Sequence, residues 1–153
     1  MSDGISVILI VKNCAAPLKE CLASLKSFLK PDLGDEVVIV DTGSTDTTPA
    51  VAEETGARCF KHPELNERGM LDLVKKYLPD HYTDCEKDPQ FNDGFLSSFA
   101  AARQISTNYA KNDLVFWIDA DDVLSGGAKL RALALEFFKK PENTCLFLPY
   151  DYS

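Results

Sequence analysis

The stretch Leu114-Val-Phe-Trp-Ile-Asp-Ala-Asp-Asp-Val-Leu124 decides the fold class of this chain. Its first five residues are apolar, which predicts a strand buried on both faces, as in a parallel sheet. The strand ends on three carboxylates, Asp119, Asp121 and Asp122. Ligands of open α/β sheets bind outside the carboxyl ends of the strands, and clustered carboxylates repel one another unless a cation lies among them. The stretch therefore predicts a divalent cation that carries phosphates. The alternative is a set of acids that only end a strand and cap the next helix.

Strand and helix signals alternate along the rest of the chain. Strands are predicted at residues 5–11, 37–40, 57–60, 114–118 and 145–148, and helices at 16–29, 45–55, 67–78, 93–109 and 127–139. Alternation of this kind is typical of an α/β fold, with a Rossmann-like, mostly parallel sheet flanked by helices.

The composition argues against several kinds of partner and site. The net charge is −8, whereas nucleic acid and anionic membranes attract basic surfaces. No membrane segment is predicted, because no apolar stretch reaches the length of a span. The five cysteines are scattered and never form a C-x-x-C pair, so a zinc site is not expected. Free thiols indicate a cytoplasmic, reducing location.

A second buried strand also ends in a carboxylate. Residues 37–40 lead into Asp41-Thr-Gly-Ser44, where Gly43 permits a tight turn. A carboxylate held there can accept hydrogen bonds from a ribose or from a base N–H. The alternative is a strand–turn–helix junction in which Asp41 and Ser44 satisfy only backbone donors. The same Asp-Thr-Gly-Ser sequence resembles the active-site loop of aspartic proteases. Those proteins are all-β and need two such loops, whereas this chain has at least four amphipathic helix patterns.

Four segments together resemble the nucleotide-binding part of a family 2 glycosyltransferase with the GT-A fold. They are residues 6–13, 38–48, 99–104 and 118–122, so the resemblance extends over most of the chain. In order, they are similar to the family's first strand and nucleoside-contacting loop, its second strand and loop, its Ala-Ala-Arg-Asn helix and its Asp-x-Asp motif. Gln104 stands where the family usually has Asn. The resemblance implies a metal-dependent, inverting glycosyltransferase that transfers a sugar from a nucleoside-diphosphate sugar to an acceptor.

The resemblance implies nucleotide-binding roles for residues of the first two segments. Asp41 would hold the base through N3–H, which favours uracil or thymine and therefore a UDP-sugar or a dTDP-sugar. Val11 and Lys12 would line the nucleoside, and Ser44 would belong to the same nucleotide-binding site.

The other two segments would hold the ribose, the diphosphate and the metal. Asp119 would face the ribose or a metal-bound water, with Ala120 beside it in the nucleotide-binding site. Asp121 would bind Mn²⁺ or Mg²⁺ that bridges the diphosphate. Arg103 would lie near the nucleotide or its phosphates; the alternative is a surface arginine on a helix.

Two features depart from complete and compact GT-A domains. The segment at about 61–93 is longer than in compact relatives, so we expect an extended insert within a single domain over residues 1–153. Complete domains continue beyond the Asp-x-Asp strand into an acceptor-binding half, where inverting members place the Asp or Glu that deprotonates the acceptor. We therefore expect a truncated domain whose catalytic base lies beyond Ser153. The acceptor, a glycan, a protein or a lipid, stays unassigned.

The sequence leaves two other functions open. A non-catalytic nucleotide-sugar-binding module fits a chain that lacks an acceptor half. A haloacid-dehalogenase-like phosphotransferase fits the run from Asp119 to Val123, in which Asp119 would be the nucleophile and Asp121 the acid/base. In that class the loop normally follows the first strand of the sheet, whereas here it follows the fourth predicted strand.

Overall fold

A computed structural model describes residues 4–66, 76–77, 79, 99–149 and 151. The strands are β1 (Ile5–Val11), β2 (Glu36–Asp41), β3 (Arg58–Lys61) and β4 (Leu114–Trp117). The longer helices are α1 (Ala15–Ser24), α2 (Thr48–Glu54), α3 (Phe99–Tyr109) and α4 (Gly127–Phe137), and short 3₁₀ turns occur at Leu25–Ser27, Pro31–Leu33 and Pro63–Asn66. The helix predicted at 67–78, the start of the helix predicted at 93–109 and most of the 61–93 insert lie outside the described residues. No helix in the described ranges is long and apolar enough to cross a membrane.

The four described strands form one parallel sheet in the order β3-β2-β1-β4. β1 lies between β2 and β4, and β3 pairs with the far side of β2. Because all of these strands run the same way, their carboxyl ends lie along a single edge of the sheet. The predicted Rossmann-like, mostly parallel α/β fold is confirmed.

The apolar core lies on both faces of β1. Side chains alternate along a strand, so one set of β1 residues faces α1 and α2 and the other set faces α3. The first face packs Ile5, Val7, Leu9 and Val11 with Leu18, Cys21, Leu22, Leu25, Phe28, Ile39 and Ala52. On the other face, α3 packs on β1 and β2. Its buried Ala101 and Ala102 have small side chains, which let the helix lie close to the sheet.

A buried ion pair fixes α4 beside the amino-terminal end of the sheet. The guanidinium of Arg131 donates to the carboxylate of Asp35, and the two side chains are 6% and 0% exposed. Asp35 also accepts the backbone N–H of Ile5 at 2.8 Å and of Lys30 at 2.6 Å. One carboxylate thus joins the start of β1, the loop before β2 and α4.

Two helices differ from their predicted bounds, and hydrogen bonds explain both differences. The helix predicted at 16–29 is α-helical only over α1 and continues as a 3₁₀ turn. The Ser24 hydroxyl there donates to the carbonyl of Cys21 at 2.6 Å, a local bond that competes with regular helix geometry. The helix predicted at 45–55 begins at Thr48. Two backbone N–H groups just before it donate to Asn13, as described below.

The strand predicted at 145–148 is wrong, because residues 143–149 form no regular structure. Leu146 and Leu148 help to line a cavity of about 140 Å³ beside β4 and α4, while Phe147 is 89% exposed. A short apolar run can cover a sheet with its side chains, but a strand also needs a backbone partner. β4 is therefore one of the two outer strands of the described sheet, and its Val115 and Trp117 are 39% and 46% exposed.

Candidate functional site

The carboxyl edge of the sheet brings the predicted site residues together. Val11 pairs with Asp41 at the ends of β1 and β2. Ile8 pairs with Trp117, so Asp119 follows β4 close to the level at which β1 ends. Neighbouring strands lie about 4.8 Å apart, so the ends of β2 and β4 are separated by roughly 10 Å across β1. A row of this width suits an elongated ligand better than a lone ion.

Asp41 is a buried carboxylate at the end of β2, with 1% of the residue exposed. Its Oδ1 accepts the backbone N–H of Gly43 at 3.0 Å and of Ser44 at 2.7 Å. Gly43 has a φ of 105°, a backbone conformation that favours glycine. Asp41 therefore accepts backbone hydrogen bonds in the turn after β2, as expected for a strand–turn–helix junction. These bonds use Oδ1 alone, and the nucleoside-binding role stays a prediction.

Asn13 fastens the loop after β1 to the loop after β2. Its Oδ1 accepts the backbone N–H of Thr45 at 2.7 Å and of Asp46 at 3.4 Å. In return, the backbone N–H of Asn13 donates to Ser44 Oγ at 2.9 Å. Lys12 and Ser44, two of the predicted nucleotide-binding residues, thus belong to loops that are joined. Sequence reasoning assigned no role to Asn13, although an Asn directly after a strand is a recognisable turn signal.

Position 13 needs both a residue that tolerates a positive φ and a side chain that accepts hydrogen bonds, and two substitutions of Asn13 separate these requirements. Its φ of 48° lies in the left-handed region, which Asn and Gly adopt more readily than Ala. We expect Asn13→Ala to lower the free energy of unfolding by about 1–2 kcal/mol, because it removes the acceptor and strains the backbone. Asn13→Gly loses only the acceptor and should cost less. Urea unfolding measures both changes.

The matched control for Asn13 lies in the same pair of loops. Thr47 is exposed and its side chain makes no capping hydrogen bond to α2, so Thr47→Ala should leave the urea midpoint almost unchanged. Equal losses in Asn13→Ala and Asn13→Gly would contradict the requirement for a positive φ. No loss in either variant would contradict the joining role of the side chain.

The Asp-x-Asp loop follows β4 directly. Asp119 and Asp121 are exposed, whereas Ala120 between them is only 7% exposed and packs in the core. The carbonyl of Asp119 accepts the backbone N–H of Asp122 at 3.1 Å and lies 3.6 Å from the thiol of Cys21 on α1. The loop is therefore anchored from beneath while two carboxylates face outwards. It follows an outer strand of the described sheet and not β1, an arrangement that does not favour the phosphotransferase alternative.

Arg103 lies on α3 against the last residue of β4. Its Cζ is 3.3 Å from the centroid of the Trp117 ring, and the indole N–H of Trp117 donates to Asp119 Oδ1 at 3.0 Å. Arg103 Nε is buried and has no hydrogen-bond partner among the described residues. Burial lowers the pKa of the Arg103 guanidinium, and the charge of Asp119 opposes that change. Sequence reasoning missed Trp117, although residues two apart on a strand share a face.

Two thiols beneath this edge, those of the buried Cys21 and the half-buried Cys14, are protonated at neutral pH. Burial, followed by the charges of Asp122 and Asp121, raises the pKa of Cys21 to about 12. Burial is also the main cause of the raised pKa of Cys14. The thiolate is the form that acts as a nucleophile or a metal ligand, so neither cysteine suits those roles near pH 7.

The carboxylates at the end of β4 fit a metal that is bound together with a ligand. In the part of the chain that the structure describes, no three His, Cys, Asp or Glu side chains are arranged to hold a metal ion. Mg²⁺ usually takes one or two protein carboxylates and fills its other positions with phosphate oxygens and water. The exposed Asp119 and Asp121 suit that arrangement, and do not suit a cage made of protein alone.

The comparisons with known sequences include a glycosyltransferase family model and two longer proteins. A family model described as Glycosyl transferase family 2 matches residues 6–69. The chain is 31% identical over 130 residues to a TPR repeat-containing protein of Synechococcus elongatus, a match that covers 84% of this chain and 23% of that protein. It is 28% identical over 151 residues to an uncharacterized glycosyltransferase of Rickettsia bellii, covering 99% of this chain and 38% of that protein. The chain spans less than half the length of these relatives.

Solved structures share the fold. A structure of the S. aureus TarS fragment 1-349 in complex with UDP has a TM-score of 0.59 at 21% identity, and the match covers 89% of this chain and 32% of the fragment. The mannosyltransferase PcManGT from Pyrobaculum calidifontis, in complex with GDP-Man and Mn²⁺, has a TM-score of 0.60 at 19% identity. That match covers 90% of this chain and 32% of the transferase. At these identities the likeness shows the fold alone.

Proposed function

We propose that this chain, as part of a family 2 glycosyltransferase with the GT-A fold, binds the donor of a glycosyl transfer. The donor would be a nucleoside-diphosphate sugar held in part through a divalent metal. One observation carries the proposal: polar side chains follow β2 and β4 at the same edge of the sheet, with Asp41 at one end and Asp121 at the other. The solved structures support it, since the TarS fragment holds UDP and PcManGT holds GDP-Man with Mn²⁺.

The nucleoside would bind at the β1 and β2 end of the row. Asp41 is oriented by its two backbone donors, so it offers a fixed acceptor for a base N–H. Val11 and Lys12 would line the nucleoside, and Ser44 would hold the adjacent loop in place through Asn13. Uracil and thymine carry an N3–H, so a UDP-sugar or a dTDP-sugar is the favoured donor.

The diphosphate would bind at the β4 end. Asp121 would hold Mn²⁺ or Mg²⁺, while Asp119 would face the ribose or a metal-bound water, with Ala120 beside it in the nucleotide-binding site. A bound divalent cation supplies Lewis-acid stabilisation of the charge on the departing diphosphate. The half-buried Arg103 would contribute a positive charge near the phosphates.

The reaction that fits this donor site is a direct displacement with inversion. An acceptor oxygen would form a bond to the anomeric carbon while the bond from that carbon to the diphosphate oxygen breaks. The nucleoside diphosphate leaves with the electron pair, and the acceptor proton passes to a general base. We assign that base to no residue of the described chain.

The described cysteines are free thiols, which supports a cytoplasmic location.

Calorimetric titration tests donor binding directly. With Mn²⁺ present we expect UDP or dTDP to bind, and we expect a chelator to weaken that binding at least about tenfold, because the diphosphate then loses its cation. GDP serves as the comparison nucleotide. If none of the three nucleotides binds with Mn²⁺, the donor-site proposal is wrong.

Turnover separates an enzyme from a binding module. Hydrolysis or transfer of the sugar from a bound donor, measured on this chain and on a longer chain that includes more of the protein, would support the transferase. Binding without turnover in either chain would identify a non-catalytic nucleotide-sugar-binding module. Phosphate covalently bound to Asp119 would instead support the phosphotransferase alternative.

A further inference from the structure

We propose that Trp117 is a positioning residue for Asp119, and that Arg103 holds Trp117 in the orientation that this requires. The inference rests on the proposed donor site, in which Asp119 faces the ribose or a metal-bound water. Arg103 and Trp117 would then act on the ligand indirectly, through Asp119. This role explains why a large aromatic side chain lies half-exposed at the sheet edge.

The indole N–H fixes an otherwise exposed carboxylate. Trp117 and Asp119 are two residues apart in an extended segment, so their side chains lie on the same face of the sheet. The 3.0 Å bond joins the indole N–H to Asp119 Oδ1 and leaves Oδ2 out of the bond. An exposed carboxylate without such a bond samples several rotamers, and ligand binding then loses the conformational entropy of selecting one of them. Holding it in advance raises affinity by roughly threefold to tenfold.

The guanidinium of Arg103 fixes the indole in turn. Its Cζ lies 3.3 Å from the centroid of the Trp117 ring, within the range of a cation–π contact, and 5.7 Å from that of Phe99. α3 lies close to the sheet through Ala101 and Ala102, which brings Arg103 over the ring. A planar guanidinium stacks on an aromatic face in a way that a lysine ammonium does not. Arg103→Lys should therefore keep the charge and lose the orientation of the ring.

Fluorescence tests this arrangement without any nucleotide, since Trp117 is the single tryptophan of the chain. Asp119→Ala removes the charged acceptor of the indole N–H and should shift the emission maximum. Arg103→Lys should also change the emission. Asp121→Ala is the matched control, because it removes an exposed carboxylate of the same loop that makes no bond to the indole, and it should leave the emission unchanged. Emission unaltered by Asp119→Ala would overturn the proposal.

A double-mutant cycle tests the coupling to the ligand, with UDP and Mn²⁺ as the probe. Trp117→Phe keeps an aromatic ring for Arg103 and removes the N–H donor together with the second ring of the indole. In the chain that retains Asp119 it should weaken binding by about threefold to tenfold, and in the Asp119→Ala background it should have no further effect. Equal effects in both backgrounds would overturn the proposal, because Trp117 would then act by direct contact or through the fold. If the unaltered chain binds none of UDP, dTDP and GDP while the fluorescence shifts are observed, the donor-site proposal fails and the contact between Trp117 and Asp119 stands.

Discussion

Asp121→Ala is expected to abolish the effect of Mn²⁺ on nucleotide binding, with a loss of affinity of at least about tenfold when the metal is present. Removal of a residue that only orients a metal ligand typically costs about 10-fold to 100-fold in metal affinity, and removal of a ligand itself should cost at least as much. Asp121 is exposed at the carboxyl end of β4, and its loop is anchored by the buried Ala120. The substitution should therefore change the binding site without disturbing the core.

The control for Asp121 is a carboxylate at the other end of the same strand. Asp113 is exposed just before β4, so Asp113→Ala removes the same charge far from the carboxyl edge and should bind UDP with Mn²⁺ as the unaltered chain does. In the presence of a chelator, all three proteins should bind equally weakly. Unchanged Mn²⁺-dependent binding by Asp121→Ala would show that the metal is held by other residues.

Asp35→Ala is expected to lower the free energy of unfolding by about 3–5 kcal/mol, the largest stability effect among these substitutions. The variant leaves the Arg131 guanidinium buried without its carboxylate and removes the acceptor of the Ile5 and Lys30 N–H groups. Breaking a buried pair by removing one partner costs more than the pair itself contributes, because the remaining charge lies away from water. Urea unfolding followed by circular dichroism measures the change.

An exposed ion pair on the same part of the chain provides the comparison. Lys139 lies 2.6 Å from Glu136 near the end of α4, with both side chains more than 70% exposed. Lys139→Met should change the unfolding midpoint little, because solvent screens exposed pairs. If Asp35→Ala and Lys139→Met lowered the free energy of unfolding by similar amounts, burial of the ion pair would not be the cause of the large effect.

Sequence reasoning predicted those parts of the fold that depend on local pattern. Continuous apolar runs predicted three of the four described strands, and alternation with helices predicted the short third one; each lies within about two residues of its expected bounds. The same reasoning failed at 145–148, where an apolar run has no backbone partner among the described strands. A strand depends on pairing, and pairing is not a property of the segment itself.

Contacts between residues that are far apart in the sequence could not be predicted from local sequence patterns. Asp35 and Arg131 are 96 residues apart, and nothing in either local sequence indicates that they meet. For the site, the polar residues at strand ends could be predicted, because parallel strands place their carboxyl ends on one edge. The contact of Arg103 with Trp117 depends on how closely α3 approaches the sheet, which follows from the packing of two alanines and not from the motif itself.

The outer position of β4 has a consequence for how this chain behaves in concentrated solution. The strand has no neighbour on its far side among the described residues, and the backbone groups of such an edge can pair with another molecule. The half-exposed Val115 and Trp117 add apolar surface beside that edge. The net charge of −8 makes copies of the chain repel one another, and that repulsion weakens as ionic strength rises. Colloidal stability should therefore be greatest in dilute buffer of low salt, where this repulsion keeps the edges of β4 in different copies apart.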